Sequence, residues 1–556
     1  MTSDFDTDST DSGIGEAVRL GMVVSGSLGD GVEVKLDPST SIEDVKVGRY
    51  VTIEGDRMRF FGVVTDVSLG STDPTLRLNP PDVSDPYVAE VVSGTTAFGV
   101  VDVEPVLTLA ADPLEAMDGP KPAKTVPAHF SIVSLASDKD VQLVFGSEDD
   151  RHFFIGSPLD METRLCLDMD QLVQRSAGVF GKTGTGKTFL TRLLLIGILQ
   201  SGAAVNLVFD MQSEYGWKGF SEGAHEVKGL KQLFSSKVAV FSLDEDSSRR
   251  RGLTPDYVVR IGYQEIEPED IQVLRDMWDL SEIAVEAAFS LERKFGSKRW
   301  LRDFLALDRP GVLELGEDLG VNQSTLSALH NRLGRLRRFD FMDENAAHDS
   351  VGQILDYLNR GIHVVLEFGR YGSDVSAYVL VANLLTRRIH ERYAQMAEAA
   401  LGDDTQKPKP LVITIEEAHK YLNPGVANQT IFGTIAREMR KHNVTLLVVD
   451  QRPSGIDDEV MSQLGTKITC LLDNERDIDA VLTGVSGSRK LRGVLSRLES
   501  KQQALVFGHA LPMPVVIRTR DYGTAESYRE LGFREAAELK AQMERDVEDL
   551  FGPREN

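Results

Sequence analysis

Eight consecutive residues, Gly181-Lys182-Thr183-Gly184-Thr185-Gly186-Lys187-Thr188, fit the pattern G-x-x-x-x-G-K-[ST] in full. Glycines at this spacing let the backbone wrap tightly, so that successive N–H groups face phosphate oxygens. Lys187 is then placed to neutralise β- and γ-phosphates, and Thr188 to offer its hydroxyl to Mg²⁺. Such a loop works with acids on a neighbouring strand, and the apolar run 411–415 leads into Glu416-Glu417. The first carboxylate suits the coordination shell of Mg²⁺; the second suits orienting and deprotonating an attacking water. As two acids at the start of a helix, the pair also fits plain dipole stabilisation. Two further apolar runs end in Asp210, with Glu214 close behind, and in Asp450-Gln451, where the Gln451 amide is placed to sense a γ-phosphate. Both also fit ordinary strand-end turns. Arg437 and Arg440, three apart, share one face of a helix. They suit either a guanidinium lent to a neighbouring subunit's phosphate site or simple surface ion pairing.

Chemistry of this kind needs several strand ends brought to one edge. The runs 177–180, 203–209, 362–368, 411–415 and 444–449 are continuously apolar and alternate with helical patterns such as 187–200. This predicts a parallel sheet covered on both faces. Residues 253–345 show helical periodicity at 271–295 and 322–339 and read as a helical subdomain inserted into that core. Strands are predicted again at 467–472, 503–507 and 514–518, and a charged helix at about 524–550. Ahead of the core, short runs at 20–24, 32–36, 49–53, 58–66, 87–92 and 104–109 predict a small all-β barrel. The expected division is an acidic tail (1–15), the barrel (16–112), a linker with Pro113, Pro120, Pro122 and Pro127 leading into the core (113–144), core (145–252), helical insert (253–345), core (346–523) and a C-terminal helix and tail (524–556).

Bulk properties narrow the classes. At 556 residues the chain exceeds one ordinary core. Its longest apolar runs fall short of a membrane span, and its start has neither the basic nor the apolar segment of a secretory signal. Two distant cysteines, Cys166 and Cys470, argue against a disulfide scaffold or a zinc site and point to a reducing cytoplasm. The net charge of −25 is unusual for a nucleic-acid binder. An acidic outer face around a basic inner lining accounts for it, and so does a salt-rich cytoplasm.

Taken together, GKTGTGKT (181–188), VFDMQSEYGW (208–217), ITIEEAHKYL (413–422) and REMRKHNVTLLVVDQRPSGID (437–457) resemble the HerA family within the HerA/FtsK group of ring ATPases. The order of the motifs, the barrel and the insert are similar too. The resemblance implies a RecA-like P-loop core hydrolysing ATP with Mg²⁺, a barrel used for assembly, and a homo-hexamer around duplex DNA. It further implies a NurA-like nuclease or another effector as partner in DNA end processing. Lys187, Asp210, Glu416, Glu417 and Gln451 would take catalytic or sensing roles, and Arg437 or Arg440 that of the finger acting in trans. Met439 and Asp450 depart from the family's usual glycine and small polar residue. Tyr215, Gly216, Trp217 and Lys218 form a candidate DNA-contacting loop, and Arg489, Lys490 and Arg492 a second basic candidate. The same motor in anti-phage defence, and a secretion or conjugation ATPase acting on protein, are the competing expectations.

Overall fold

The computed structural model describes residues 18–533, apart from 118, 160, 221–225, 345–348, 402–406, 439–441 and 486–487. The tail expected over 1–15 lies outside the described residues. Two compact units divide the chain: Met1–Leu167 with Gly487–Leu498 and Gln503–Arg518, and Asp168–Ser486 with Glu499–Gln502 and Thr519–Asn556.

In the first unit, antiparallel strands run in the order Gly31–Leu36, Arg19–Ser27, Ile132–Leu135, Tyr50–Glu54, Met58–Ser71 and Ala97–Ala110. The last pairs back onto the first, Val32 opposite Val103 and Val34 opposite Val101, which closes a barrel. Alternation along 97–110 puts Val101, Val103 and Leu107 inside. Val101 and Val103 pack with Val34, Val51, Ile53 and Val64 in one apolar core. Each such side chain contributes about 1.5–3 kcal/mol by leaving water.

Three sequence expectations change here. Residues 87–92, predicted as a strand, lie in the helix Pro86–Thr95. Pro86 sits in its first turn and the Asp85 carboxylate accepts from the Tyr87 amide, so cap chemistry prevails over β propensity. The stretch 113–144 is more than a linker, since Ile132–Leu135 pairs with both Arg19–Ser27 and Tyr50–Glu54 inside the barrel. Finally, the unit boundary falls at 167/168, so His152–Pro158, Gln503–Gly508 and most of Val515–Thr519, expected in the core, belong to the first unit.

The second unit carries a parallel sheet in the order Tyr257–Val258, Val238–Ser242, His363–Glu367, Val205–Asp210, Leu411–Glu416, Val444–Asp450, Ala177–Phe180 and Thr466–Thr469. Apart from the edge strand Tyr257–Val258, these strands are almost wholly buried, as parallel strands covered on both faces must be. Among the described residues, five α-helices lie between Tyr257–Val258 and the helix Ser350–Asn359: Pro268–Val273, Glu282–Phe295, Trp300–Leu305, Arg309–Leu319 and Gln323–Leu333. The helical periodicity over 271–295 is divided between two helices because Asp279 takes a left-handed conformation (φ +52°) and Ser281 caps a new helix start. Of the expected C-terminal helix, Ala525–Glu530 is helical, and residues from 534 onward lie outside the described residues.

Candidate nucleotide site

The buried strand Ala177–Phe180 delivers the phosphate-loop sequence at the carboxyl edge of the parallel sheet, and the helix Lys187–Ser201 leaves it. Two glycines are obligatory here. At Gly181 (φ +153°) a Cβ would stand 2.8 Å from both Cys470 Cβ and Thr185 Oγ1. Gly186 (φ +93°) turns the chain into the helix through the left-handed region. The Thr185 hydroxyl and the Lys187 ammonium both donate to the Lys182 carbonyl, at 2.8 Å each. Lys182 itself pairs outward with Asp473 at 2.9 Å. Burial lowers the Lys187 pKa, while Cys470 first, then Glu417, Asp450 and Glu416, oppose the shift.

The acid pair stands opposite. Glu416 ends the strand Leu411–Glu416, and its Oε1 accepts from the Tyr215 hydroxyl at 2.8 Å. Its backbone N–H donates to Tyr378 Oη at 3.2 Å. Its Oε2 is buried with no hydrogen-bond partner among the described residues. Burial first, then the charge of Asp210, pushes the Glu416 carboxyl up to about 8. A buried carboxyl with one orphaned oxygen is an unfavourable anion without a cation and a good ligand with one, so Glu416 fits Mg²⁺. Thr188, with its hydroxyl, lines the same cavity.

Glu417 is left-handed (φ +50°, ψ +45°), a conformation costing a non-glycine residue about 1–2 kcal/mol. Its Oε1 accepts from Gln451 Nε2 at 3.3 Å, while Gln451 Oε1 accepts from the Thr183 hydroxyl at 2.7 Å. Gln451 thus ties the phosphate loop to the second acid. Asp450 turns inward, accepting from the His419 backbone at 2.7 Å and lying 3.0 Å from His419 Nδ1. That bond raises the pKa of His419, whose ring stands 3.7 Å from Glu417.

Residues 183–188, Glu416, Glu417, Asp450 and Gln451 line one cavity of about 660 Å³. Its far side is built by Phe189, Gln502, Asp521 and Tyr522. Phe189 and Tyr522 lie 5.8 Å apart, and Gln502 Nε2 donates to Asp521 at 3.2 Å. None of the C-terminal residues carries a local motif, so the sequence reading missed them. It also missed Tyr378 and His419, although His419 follows the acid pair by two residues.

Several expected residues stand elsewhere. Asp210 is fully buried and does not line the cavity. Its carboxylate accepts from the N–H groups of Glu214, Tyr215 and Gly216 at 2.8, 2.8 and 3.1 Å. It therefore shapes the loop that presents Tyr215. Burial, then the nearby Glu367 charge, raises its pKa to about 7. Tyr215, expected to touch DNA, is wholly buried and turned to Glu416. Its ring also packs under the buried Arg192 guanidinium, which donates to the Glu214 carbonyl. Arg437 is not among the residues lining the cavity; it pairs with Glu459 at 3.1 Å and donates to Asn428. Trp217 is half-buried, and Lys218 opens a short hairpin and pairs with Glu226 at 2.9 Å. Met439 and Arg440 lie outside the described residues, as do the side chains of Arg489 and Lys490.

Comparison with known proteins adds two family matches. The helicase HerA central domain matches residues 153–389, and the HAS barrel domain matches residues 20–108. A protein of Pyrococcus furiosus named DNA double-strand break repair helicase HerA is 24% identical over 413 residues, covering 70% of this chain and 72% of that one. A protein of the same name from Sulfurisphaera tokodaii is 23% identical, covering 90% and 92%. Among solved structures, VirB4 of Thermoanaerobacter pseudethanolicus aligns with a TM-score of 0.45 and 12% identity, covering 69% of this chain and all of that one.

Proposed function

We infer, the chain belonging to the HerA helicase family, that it is an ATP-hydrolysing motor that moves DNA. The observation that carries this reading is the single cavity in which the phosphate loop, Glu416, Glu417 and Gln451 meet. The loop N–H groups and Lys187 bind the triphosphate and hold its charge. Thr188 and Glu416 would hold Mg²⁺, which supplies positive charge to the phosphate oxygens. Glu417 orients the attacking water and takes its proton. Gln451, bonded to both Thr183 and Glu417, couples the state of the phosphate loop to the base. Asp210 acts at one remove, by fixing the loop that holds Tyr215 against Glu416.

The finer reading is a ring of six copies around duplex DNA, working with a NurA-like nuclease in end processing. Two relatives named for double-strand break repair support it, and so does the position of Arg437 outside its own chain's cavity. Among the described residues no helix is long and apolar enough to cross a membrane. The test is the ATPase rate of the full chain with and without long duplex DNA. Stimulation by the duplex is expected; turnover indifferent to DNA would overturn the translocase reading.

A further inference from the structure

Among the described residues, one group of metal-ligating side chains lies apart from the nucleotide cavity: His390, Glu438 and His442. We propose that these three side chains form a binding site for a divalent transition-metal ion of the Zn²⁺ class. The proposal goes beyond the motor reading and does not depend on it.

His390 lies on the long helix Val375–Ala399, and Glu438 is the last described residue of the helix Ile431–Glu438. His442 follows four residues later in the chain. Their ligand atoms lie within 4.8 Å of one another, and the two imidazole rings meet edge to face with centroids 5.2 Å apart. Tetrahedral coordination at metal–nitrogen distances of about 2.0–2.1 Å needs ligand atoms roughly 3.3 Å apart. Side-chain rotation covers that contraction of about 1.5 Å, since both histidines are only half-buried and Glu438 is exposed. Two imidazoles with one carboxylate select Zn²⁺, Co²⁺ or Ni²⁺ over Mg²⁺ and Ca²⁺, which prefer all-oxygen shells. Three protein ligands leave the fourth position to water. Both thiols of the chain, Cys166 and Cys470, are buried and do not compete for the ion.

The backbone gives the site a mechanical meaning. The Ile431 N–H donates to the Asn383 side chain at 3.2 Å, which ties the start of the short helix to the long one. From Asn383 to His390 is seven residues, and from Ile431 to Glu438 is also seven. That is two turns, roughly 10 Å, on one face of each helix. An ion bound by His390 and Glu438 therefore clamps the far end of the helix whose near end Asn383 already holds. The clamped helix carries Arg437.

The experiment uses the full chain, stripped with chelator and held in excess Mg²⁺ so that the phosphate site does not take the probe. Zn²⁺ is titrated by calorimetry, and Co²⁺ is followed by its visible absorption. One ion per chain is expected, with the band intensity of a tetrahedral nitrogen–oxygen site and a raised unfolding temperature. His390→Ala and His442→Ala should each abolish stoichiometric binding and the thermal shift; Glu438→Gln should weaken both. Circular dichroism and nucleotide binding verify that each variant is folded, and His390→Gln replaces any that is not. Undiminished binding in folded histidine variants, or no binding by the unaltered chain, would overturn the proposal.

Discussion

The hydroxyl of Tyr215 donates to Glu416 Oε1 at 2.8 Å, from a side chain that is completely buried. Asp210 accepts from the Tyr215 backbone N–H, so two acids are joined through one residue, Asp210 at its backbone and Glu416 at its hydroxyl. Tyr215→Phe keeps the ring and deletes the bond. An unsatisfied buried acceptor costs about 1–3 kcal/mol. The bond also holds the Glu416 pKa down, so its loss raises that pKa further. The expected outcome is a higher Mg²⁺ requirement for turnover and an activity profile moved to higher pH, with the fold intact by circular dichroism. Unchanged Mg²⁺ dependence would show that the phenol only packs.

A second prediction follows from the pH sign of Glu416. Its folded pKa of about 8 stands above the ordinary value of 4.5. The folded state therefore holds a proton that the unfolded state has released. That contribution to stability is complete below 4.5 and is lost as pH rises through 8. Without nucleotide and Mg²⁺, the unfolding temperature should fall across this window, and Glu416→Gln should flatten the fall. Asp210, raised to about 7, supplies a remaining slope of the same sign. Mg²⁺ with ATP should restore stability at the alkaline end for the unaltered chain but not for Glu416→Gln. Thermal melts at a series of pH values measure all three effects.

Lys187 and Glu417 separate binding from chemistry. Lys187→Ala removes the ammonium of the phosphate loop, so nucleotide binding and turnover should both fail. Glu417→Gln retains an oxygen for Gln451 Nε2 but cannot take a proton. It should bind ATP normally and hydrolyse it about 10²–10⁴-fold more slowly. Single-turnover rates beside equilibrium nucleotide binding distinguish the two, and normal hydrolysis in either variant would refute the site.

Much of this site was legible because its chemistry is written in contiguous residues. The phosphate loop needs consecutive backbone positions, and Glu416-Glu417 and Asp450-Gln451 end unbroken apolar strands. Groups that act through tertiary placement were not legible. Tyr215 sits in an aromatic, glycine-containing loop that reads as exposed; the backbone bonds to Asp210 fold that loop, and the hydroxyl bond to Glu416 turns the side chain inward. Gln502 and Tyr522 reach the cavity from more than 300 residues beyond Lys187 in sequence, with no periodicity to announce them. In the barrel, the apolar residues at 87–92 carry a strand pattern, but the Asp85 cap and Pro86 start a helix there. The strand at 132–135 is only four residues long and sits in a proline-flanked stretch that composition marks as a linker.

The last prediction concerns the arginine. Arg437 lies on the helix Ile431–Glu438, held by Glu459 and Asn428 and outside its own cavity. If it completes a neighbour's site, one chain supplies the phosphate loop and the next supplies the cation that stabilises the transferring phosphoryl group. Lys187→Ala leaves the arginine intact, whereas Arg437→Ala, combined with Arg440→Ala, leaves the loop intact. Each variant alone should be nearly inactive. Mixed under conditions that let subunits exchange, some interfaces join an intact loop to an intact arginine, and part of the ATPase activity should return. Mass measurement establishes that mixed assemblies have formed. Activity that stays absent in proven mixed assemblies would mean that the arginines serve their own chain, where Arg437 already has Glu459 as a partner.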